Sequence, residues 1–234
     1  MEKYLLIYTE VLKSLRTQQF MPGDLLPSDK RYSMKYQVSR ETVRKAMKLL
    51  ANDGYIQRLR GKGSVVIDRR HFQFPISEIE SYSEVVKDSG LVSENIVLEI
   101  CDSMVPEIFT PVNDQVKATK LSRMRVIHGE RSIIDHDYIL QDKVAEIPRE
   151  WAKISLFGYL EEVLNFKIDY AVKTLTVEKS NSFDQLHLSV SPEMPMVVIR
   201  SRTHLTDNSI ISYTESRHRA DRFSSVVFAR RHGY

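Results

Sequence analysis

Between Met21 and Gly63 the chain is punctuated so closely that only short helices and one short hairpin fit. Met21-Pro22-Gly23-Asp24 cannot continue a helix, because proline lacks the amide donor and glycine turns freely. Before it, Leu5, Ile7, Tyr8, Val11, Leu12 and Leu15 recur at helical spacing, so a helix is expected from Tyr4 to about Gln19. After it, Pro27-Ser28-Asp29 opens a second, short helix to Tyr36: Ser28 can cap it, and Asp29 suits its positive end. Gln37-Val38 leaves room only for a tight connection. Ser39 then caps a third helix that runs to about Asp53, where Gly54 stops it. Tyr55–Leu59 and Ser64–Ile67 read as strands joined by Arg60-Gly61-Lys62-Gly63.

The third helix has two faces. Val43, Ala46, Met47 and Leu50 form a core stripe, while Arg40 and Arg44 lie four apart on another face near Glu41, Lys45 and Lys48. A short helix, a tight turn and a capped basic helix make a helix-turn-helix, whose second helix presents its first residues to base edges in the major groove. Arginine suits that task because its planar fork bonds guanine O6 and N7 together. A solvated basic face is the competing reading of any single helix. The basic glycine turn weighs against it, because a wing in that position can enter a minor groove or lie on phosphate. Charge follows the same division. Residues 1–70 carry 15 lysines and arginines against 7 acids, residues 71–234 carry 19 against 24, and the net +3 of the whole chain conceals the split.

Other classes are excluded more simply. A hydrophobic fraction of 42% with 28% charged residues belongs to a globular chain, not a disordered one. No apolar run approaches the roughly 20 residues of a membrane-spanning helix, so no membrane partner is expected. Met1-Glu2-Lys3-Tyr4 lacks the basic start and long apolar core of a signal peptide, and the sole cysteine, Cys101, permits neither an internal disulfide nor an all-cysteine metal cage. A cytoplasmic protein without metal or cofactor is expected.

The expected organisation is a DNA-binding domain over residues 1–67, a linker over 68–75 ending in Phe72-Gln73-Phe74-Pro75, and a second domain over 76–234. Helices are expected there at Ile79–Ser89, Ser155–Leu164 and Ser182–Ser189. Strands are expected at Ile96–Asp102, Ala118–Ile127, Ser132–Leu140, Ala171–Glu178, Met196–Leu205, Ile210–Arg219 and Val226–Ala229, with hairpin turns at residues 128–131 and 206–209. Helices interrupting hairpin strands imply an α+β fold with an antiparallel sheet. Arg123-x-Arg125 followed by Ser132-Ile133-Ile134 returns as Arg200-x-Arg202 and Ser209-Ile210-Ile211, consistent with two similar hairpins in one sheet.

Arg123 and Arg125 are the sharpest chemical feature of this part. Two apart on a strand, they share a face, and adjacent cations are stable only with something anionic between them. A phosphate or carboxylate ligand would serve, and so would salt bridges to Asp135, Asp137 or Glu130 across the hairpin. Arg200 and Arg202 have the same spacing, and spacing does not say which pair binds a ligand.

Leu26-Pro27-Ser28-Asp29-Lys30, Val38-Ser39-Arg40-Glu41-Thr42-Val43-Arg44-Lys45-Ala46, Gly54-Tyr55-Ile56 and Gly61-Lys62-Gly63-Ser64-Val65-Val66 fall in the order and spacing of a known head. They resemble the winged-helix domain of the GntR family of bacterial transcription regulators. That resemblance implies that Arg40 and Arg44 read bases, Ser39 and Thr42 hold phosphates, and Arg60 and Gly61 meet the minor groove, with Lys62 beside them at the DNA. Where the family has Glu-Arg after Pro-Ser, this chain has Asp29-Lys30, so Lys30 brings a point charge in place of a fork. Ser81-Tyr82, Leu121-Ser122-Arg123-Met124-Arg125, Asp135-His136-Asp137-Tyr138, Ser155-Leu156-Phe157 and the run from Tyr213 to Phe223 resemble the effector-binding (UTRA) domain of the HutC branch, which has the chorismate lyase fold. In sugar-phosphate-responsive members, this implies phosphate on Arg123, Arg125, Ser81 and Ser155 and sugar hydroxyls on Asp135. Phe157 and His218 stand where the pattern has other aromatics. Phe72-Gln73-Phe74-Pro75, Tyr213–Arg219 and Phe228-Ala229-Arg230-Arg231 resemble the trehalose-responsive members, implying trehalose 6-phosphate as inducer of a homodimeric repressor on a palindromic double-stranded operator. A different sugar phosphate or a carboxylate effector stays open. A lyase-like enzyme carried on a DNA-binding head is disfavoured, because the chain has no nucleophile elbow, phosphate-cradling glycine loop or HExxH.

Overall fold

The structure, a computed structural model, describes residues 2–59, 61–67, 93–110 and 115–225. They divide between two compact units, taken in turn. The expected linker, the helix at 79–89, the strand at 226–229, Arg60 and Ser81 lie outside the described residues. No helix among the described residues is long and apolar enough to cross a membrane.

The first unit holds α1 (Lys3–Arg16), α2 (Asp29–Tyr36), α3 (Arg40–Asn52), β1 (Ile56–Leu59) and β2 (Gly63–Val66). Helix α1 ends three residues before the expected limit, and Gln18 turns left-handed (φ +57°), because the apolar stripe stops at Leu15 and Thr17, Gln18 and Gln19 have no apolar side chain to bury. The caps of α2 and α3 are as the sequence implies: Ser28 Oγ accepts from the Arg31 amide at 3.3 Å and Ser39 Oγ from the Thr42 amide at 3.1 Å. Gln37, left-handed at φ +51°, closes the turn between them. Ile7 and Val11 of α1 meet Val43, Ala46, Met47 and Leu50 of α3, with Tyr32, Ile56 and Val66 completing one core. The loop before α2 lies along β2, the Leu26 amide donating to Ser64 O and the Val66 amide to Asp24 O, each at 2.9 Å. This is a winged helix-turn-helix.

The second unit is built on a six-stranded antiparallel sheet in the order β3-β4-β5-β8-β7-β6. The strands are β3 (Ser93–Met104), β4 (Lys117–Ile127), β5 (Glu130–Leu140), β6 (Ile168–Lys179), β7 (Pro195–Leu205) and β8 (Ile210–Arg219). Both expected hairpins are present, β4–β5 and β7–β8, and they lie side by side through β5 and β8. The first turns through His128 and Gly129 alone, both with positive φ, the twist that two-residue hairpins favour. In the second, the Asp207 carboxylate accepts from the Ser209 amide and hydroxyl at 2.9 and 2.6 Å. Strands β3 and β6 begin three residues earlier than expected, where Ser93-Glu94-Asn95 and Ile168-Asp169-Tyr170 offer little alternation to read.

One sheet face carries Leu121 and Ile139 and is covered by α4 (Arg149–Ile154), α5 (Leu156–Gly158) and a π-helical turn (Tyr159–Val163). The sequence pattern joins the last two into one helix from Ser155 and passes over α4, which is six residues long behind Pro148. The opposite face carries Met124, Ile134 and Val198 and receives α6 (Ser182–Leu188), opened by a reciprocal Asn181–Asp184 capping box.

Candidate functional sites

In the first unit, the side chains singled out by sequence gather at the amino end of α3 and the wing. Ser39 Oγ and Thr42 Oγ1 are 2.9 Å apart, so the cap is held by its neighbour. Arg40 and Lys30 are exposed, as are Gly61 and Lys62 between β1 and β2. Gly61 and Gly63 have φ of +76° and +101°, so this tight wing tip requires glycine. The cations lean on acids without being buried by them. Arg44 Nε lies 3.7 Å from Asp29, Arg58 Nη2 donates to the same Asp29 oxygen at 2.7 Å, and Lys45 Nζ lies 3.4 Å from Glu2 and 3.6 Å over the Tyr4 ring. A concavity of about 700 Å³ runs beside them, lined by Lys3, Ser39, Thr42, Arg44, Lys45, Lys48 and Arg58 among others. Loose, exchangeable ion pairs over a concave basic surface can trade carboxylates for phosphates.

In the second unit, Arg123 and Arg125 share the face of β4 beneath α4. Both are buried, and both are already paired. Arg123 Nη2 donates to Asp137 Oδ2 at 2.5 Å and Arg125 Nε to Asp135 Oδ2 at 2.9 Å. Asp135 also accepts from the Ser216 hydroxyl, which is 2.9 Å from His218 Nε2. Asp137 accepts from Thr214 Oγ1 at 2.8 Å. Arg123 Nη1 reaches the Ala152 carbonyl of α4 at 3.3 Å. Three residues on, Ser155 Oγ accepts from the Gly158 amide at 3.0 Å, and Phe157 packs on the cluster with Leu121 and Ile139. Thus Arg125, Asp135, Ser216 and His218 form one hydrogen-bonded group and Arg123, Asp137 and Thr214 a second on the same face, while Ser155 serves as a helix cap.

Electrostatics follow burial. Desolvation, then the charge of Arg123, pushes the Arg125 pKa down. Burial works against the Asp135 carboxylate, but Arg125, Arg123 and Ser216 outweigh it and hold its pKa below the ordinary value. Burial drives His218 from 6.5 to about 4, so its ring is neutral at neutral pH.

Salt bridging across the hairpin is therefore real for Arg123 and Arg125, through Asp137 and Asp135. Glu130 goes elsewhere, to Arg222 at 2.7 Å. The second arginine pair is not an equivalent. Arg200 stands opposite Glu215 in a row that continues through His136 to Ser122, and His136 meets Phe183 of α6. It points to the other face, where it bonds Glu215 at 2.7 Å and Glu178 at 2.6 Å. The Arg200 hydrogen bond is the chief reason the Glu178 pKa falls to about 2. Thr214 and Ser216 were not singled out as functional from sequence. The signal was period two: Thr214, Ser216 and His218 alternate on β8 and share the arginine face.

Known proteins agree with both units. Residues 3–66 match the model of bacterial regulatory proteins of the gntR family, and residues 108–224 match the UTRA domain. The HTH-type transcriptional regulator TreR of Bacillus subtilis (strain 168) is 35% identical over 235 residues, spanning 98% of each chain. The crystal structure of the possible transcriptional regulator YydK from Bacillus subtilis subsp. subtilis str. 168 superposes with a TM-score of 0.79 at 24% identity, covering 98% of this chain and 100% of that one, a likeness of fold. The effector-binding domain of the B. subtilis trehalose repressor (TreR) is 32% identical with a TM-score of 0.53, covering 60% of this chain and 99% of that one. A winged helix-turn-helix followed by an antiparallel UTRA sheet, with a full-length relative of that architecture, makes this chain a member of the GntR family of bacterial transcription regulators.

Proposed function

We propose that the chain is a cytoplasmic, homodimeric repressor of a sugar-utilisation operon, released from a palindromic operator by trehalose 6-phosphate. In this reading residues 1–67 are the DNA-binding domain, 68–75 the linker and 76–234 the effector domain. Arg40 and Arg44 read base edges, Ser39, Thr42 and Lys30 hold phosphate, and Arg60, Gly61 and Lys62 bring the wing to the minor groove. Arg123 and Arg125, with Ser81 and Ser155, receive the effector's phosphate. Asp135, Phe157 and His218 face its sugar. No reaction is catalysed and no cofactor is needed.

The observation that carries the effector class is the burial of two adjacent arginines on one face of β4, inside the UTRA match. Two guanidinium forks suit a phosphate better than a lone carboxylate, which needs one. The 35% identity to TreR across 98% of both chains supports trehalose 6-phosphate in particular. A homodimer follows from palindromic recognition, since two heads related by a two-fold axis read two half-sites. Effector must weaken operator binding by the same factor that operator weakens effector binding.

The test is an operator gel shift with trehalose 6-phosphate, glucose 6-phosphate and N-acetylglucosamine 6-phosphate. Release by the first alone is expected. Release by another sugar phosphate replaces the inducer and keeps the class, whereas turnover of any of them refutes a regulator without catalysis.

A further inference from the structure

The β4 arginines are not bare cations awaiting an anion. Register sets Asp135 opposite Arg123 and Ile133 opposite Arg125, yet each guanidinium reaches diagonally to the acid two residues further along β5. Arg123, Arg125, Asp135 and Asp137 are each at most 9% exposed, and their charges sum to zero. A compensated site has no net pull on an anion. Whatever binds must first displace a carboxylate.

Asp137 is the carboxylate placed for displacement. It takes only Nη2 of Arg123, and the adjacent Arg123 Nε is buried with no hydrogen-bond partner among the described residues. Nε and Nη2 form the edge of the fork that grips two oxygens at once, so one of its two donors is unfilled. Asp135, by contrast, is tied to Arg125, Ser216 and, through Ser216, His218. Asp137 has a second hold on Thr214 Oγ1, at 2.8 Å, that survives the loss of Arg123.

Resting on the effector reading above, we propose that Asp137 is a built-in competitor for the effector. It occupies Arg123 in the free protein and yields the Nε–Nη2 edge to phosphate oxygens when the effector binds. The exchange sets a threshold. A carboxylate ligand brings no more charge than the carboxylate it displaces, while a dianionic phosphate brings more and fills both donors of the edge. Asp137 therefore sets the same threshold for every anion, and the higher charge of a dianion clears it more readily.

Calorimetric titration of the full chain with inorganic phosphate and with glucuronate, at a pH where phosphate is dianionic, tests this. Inorganic phosphate is used because it has no sugar for Asp137 to bond. Asp137→Asn, which keeps shape and removes charge, is expected to bind phosphate about tenfold tighter than the wild type, as for a close charge pair released from competition. Glucuronate should tighten by a smaller factor, because removing one negative charge from the site favours a dianion more than a monoanion. Thr214→Val, which removes the partner that holds Asp137 once it is displaced, should weaken phosphate binding, and it carries the test if Asp137→Asn does not fold. An Asp137→Asn variant that binds phosphate no tighter than the wild type, or a Thr214→Val variant that binds it no more weakly, while Arg123→Gln loses phosphate, overturns the competitor and leaves the site standing. Phosphate binding by Arg123→Gln equal to the wild type overturns the effector site itself.

Discussion

Arginine and lysine do different work in the two units, and the difference is one of solvent. In the head, the side chains of Arg44 and Lys45 are 59% and 57% exposed and meet acids at 3.7 and 3.4 Å. On β4, those of Arg123 and Arg125 are 7% and 4% exposed and meet acids at 2.5 and 2.9 Å. A solvated cation costs little to leave half-paired, and it exchanges a carboxylate for a phosphate with small loss and the release of counterions. A desolvated cation must be compensated at all times, so it can sense only an anion that replaces its partner. One arrangement suits a long polyanion met through many weak contacts. The other suits a single small one.

The comparison breaks most visibly in stability. Asp184 is fully buried and bonds Arg217 at 2.9 Å, fastening α6 to the sheet. Removing it takes from the buried Arg217 its nearest acid, leaving Glu178 at 3.3 Å and Glu215 at 3.4 Å, and breaks the capping box of α6, so Asp184→Ala should destabilise the second unit by about 3 kcal/mol. Glu2→Gln, which removes the partner of Lys45 in the head, should cost no more than about 1 kcal/mol. Denaturation of the full chain separates them, because the sole tryptophan, Trp151 of α4, reports the second unit. Equal costs would mean the two kinds of ion pair do not differ.

The next effect is in pH. The His218 pKa of about 4 lies below its ordinary 6.5, so between those values the unfolded chain binds a proton that the folded chain refuses. Stability is therefore full above about pH 6.5 and lost as pH falls toward 4, by about 3 kcal/mol in all. Residues 1–67 contain no histidine, so the head has no such term. His218→Phe should flatten that limb of the stability–pH curve of the second unit. An unchanged limb would place the titrating group elsewhere.

The two units also differ in how much the sequence discloses. The head is built from local signals: Ser28 and Ser39 cap, Gln37 and Gly61 turn, and Val43, Ala46, Met47 and Leu50 mark one helix face within eight residues. Each was legible because its cause lies within a turn or two of chain. The hairpins of the second unit were legible for the same reason. The partners of Arg123 and Arg125 were only enumerable, because the choice among Asp135, Asp137 and Glu130 depends on register, and register depends on the bulge between Arg125 and Val126. The repeated Arg-x-Arg gave two hairpins correctly but hid that the pairs face opposite sides, since strand parity is set by the whole sheet. Helix α4 escaped because six residues make too short a stripe for periodicity to register.

Operator binding sharpens the comparison within the head. Arg44, proposed to reach base edges, should lose about 1–3 kcal/mol of specific binding as Arg44→Ala while nonspecific binding changes little, so the ratio of the two collapses. Fluorescence anisotropy on operator and scrambled duplexes measures both.

The smallest expected effect is the most diagnostic of mechanism. Lys62 sits exposed between two positive-φ glycines at the wing tip, and as a point charge on a flexible stem it is proposed to meet phosphate and not a base. Lys62→Ala should therefore weaken operator and scrambled duplex alike and lower the slope of log K against log salt by about 1. The effector binding proposed at the buried arginines should respond far less to salt, because desolvated charges are poorly screened. Should Lys62→Ala relax sequence preference instead, the wing reads bases, and the division between exposed cations that position and arginines that specify would have to be redrawn inside the head itself.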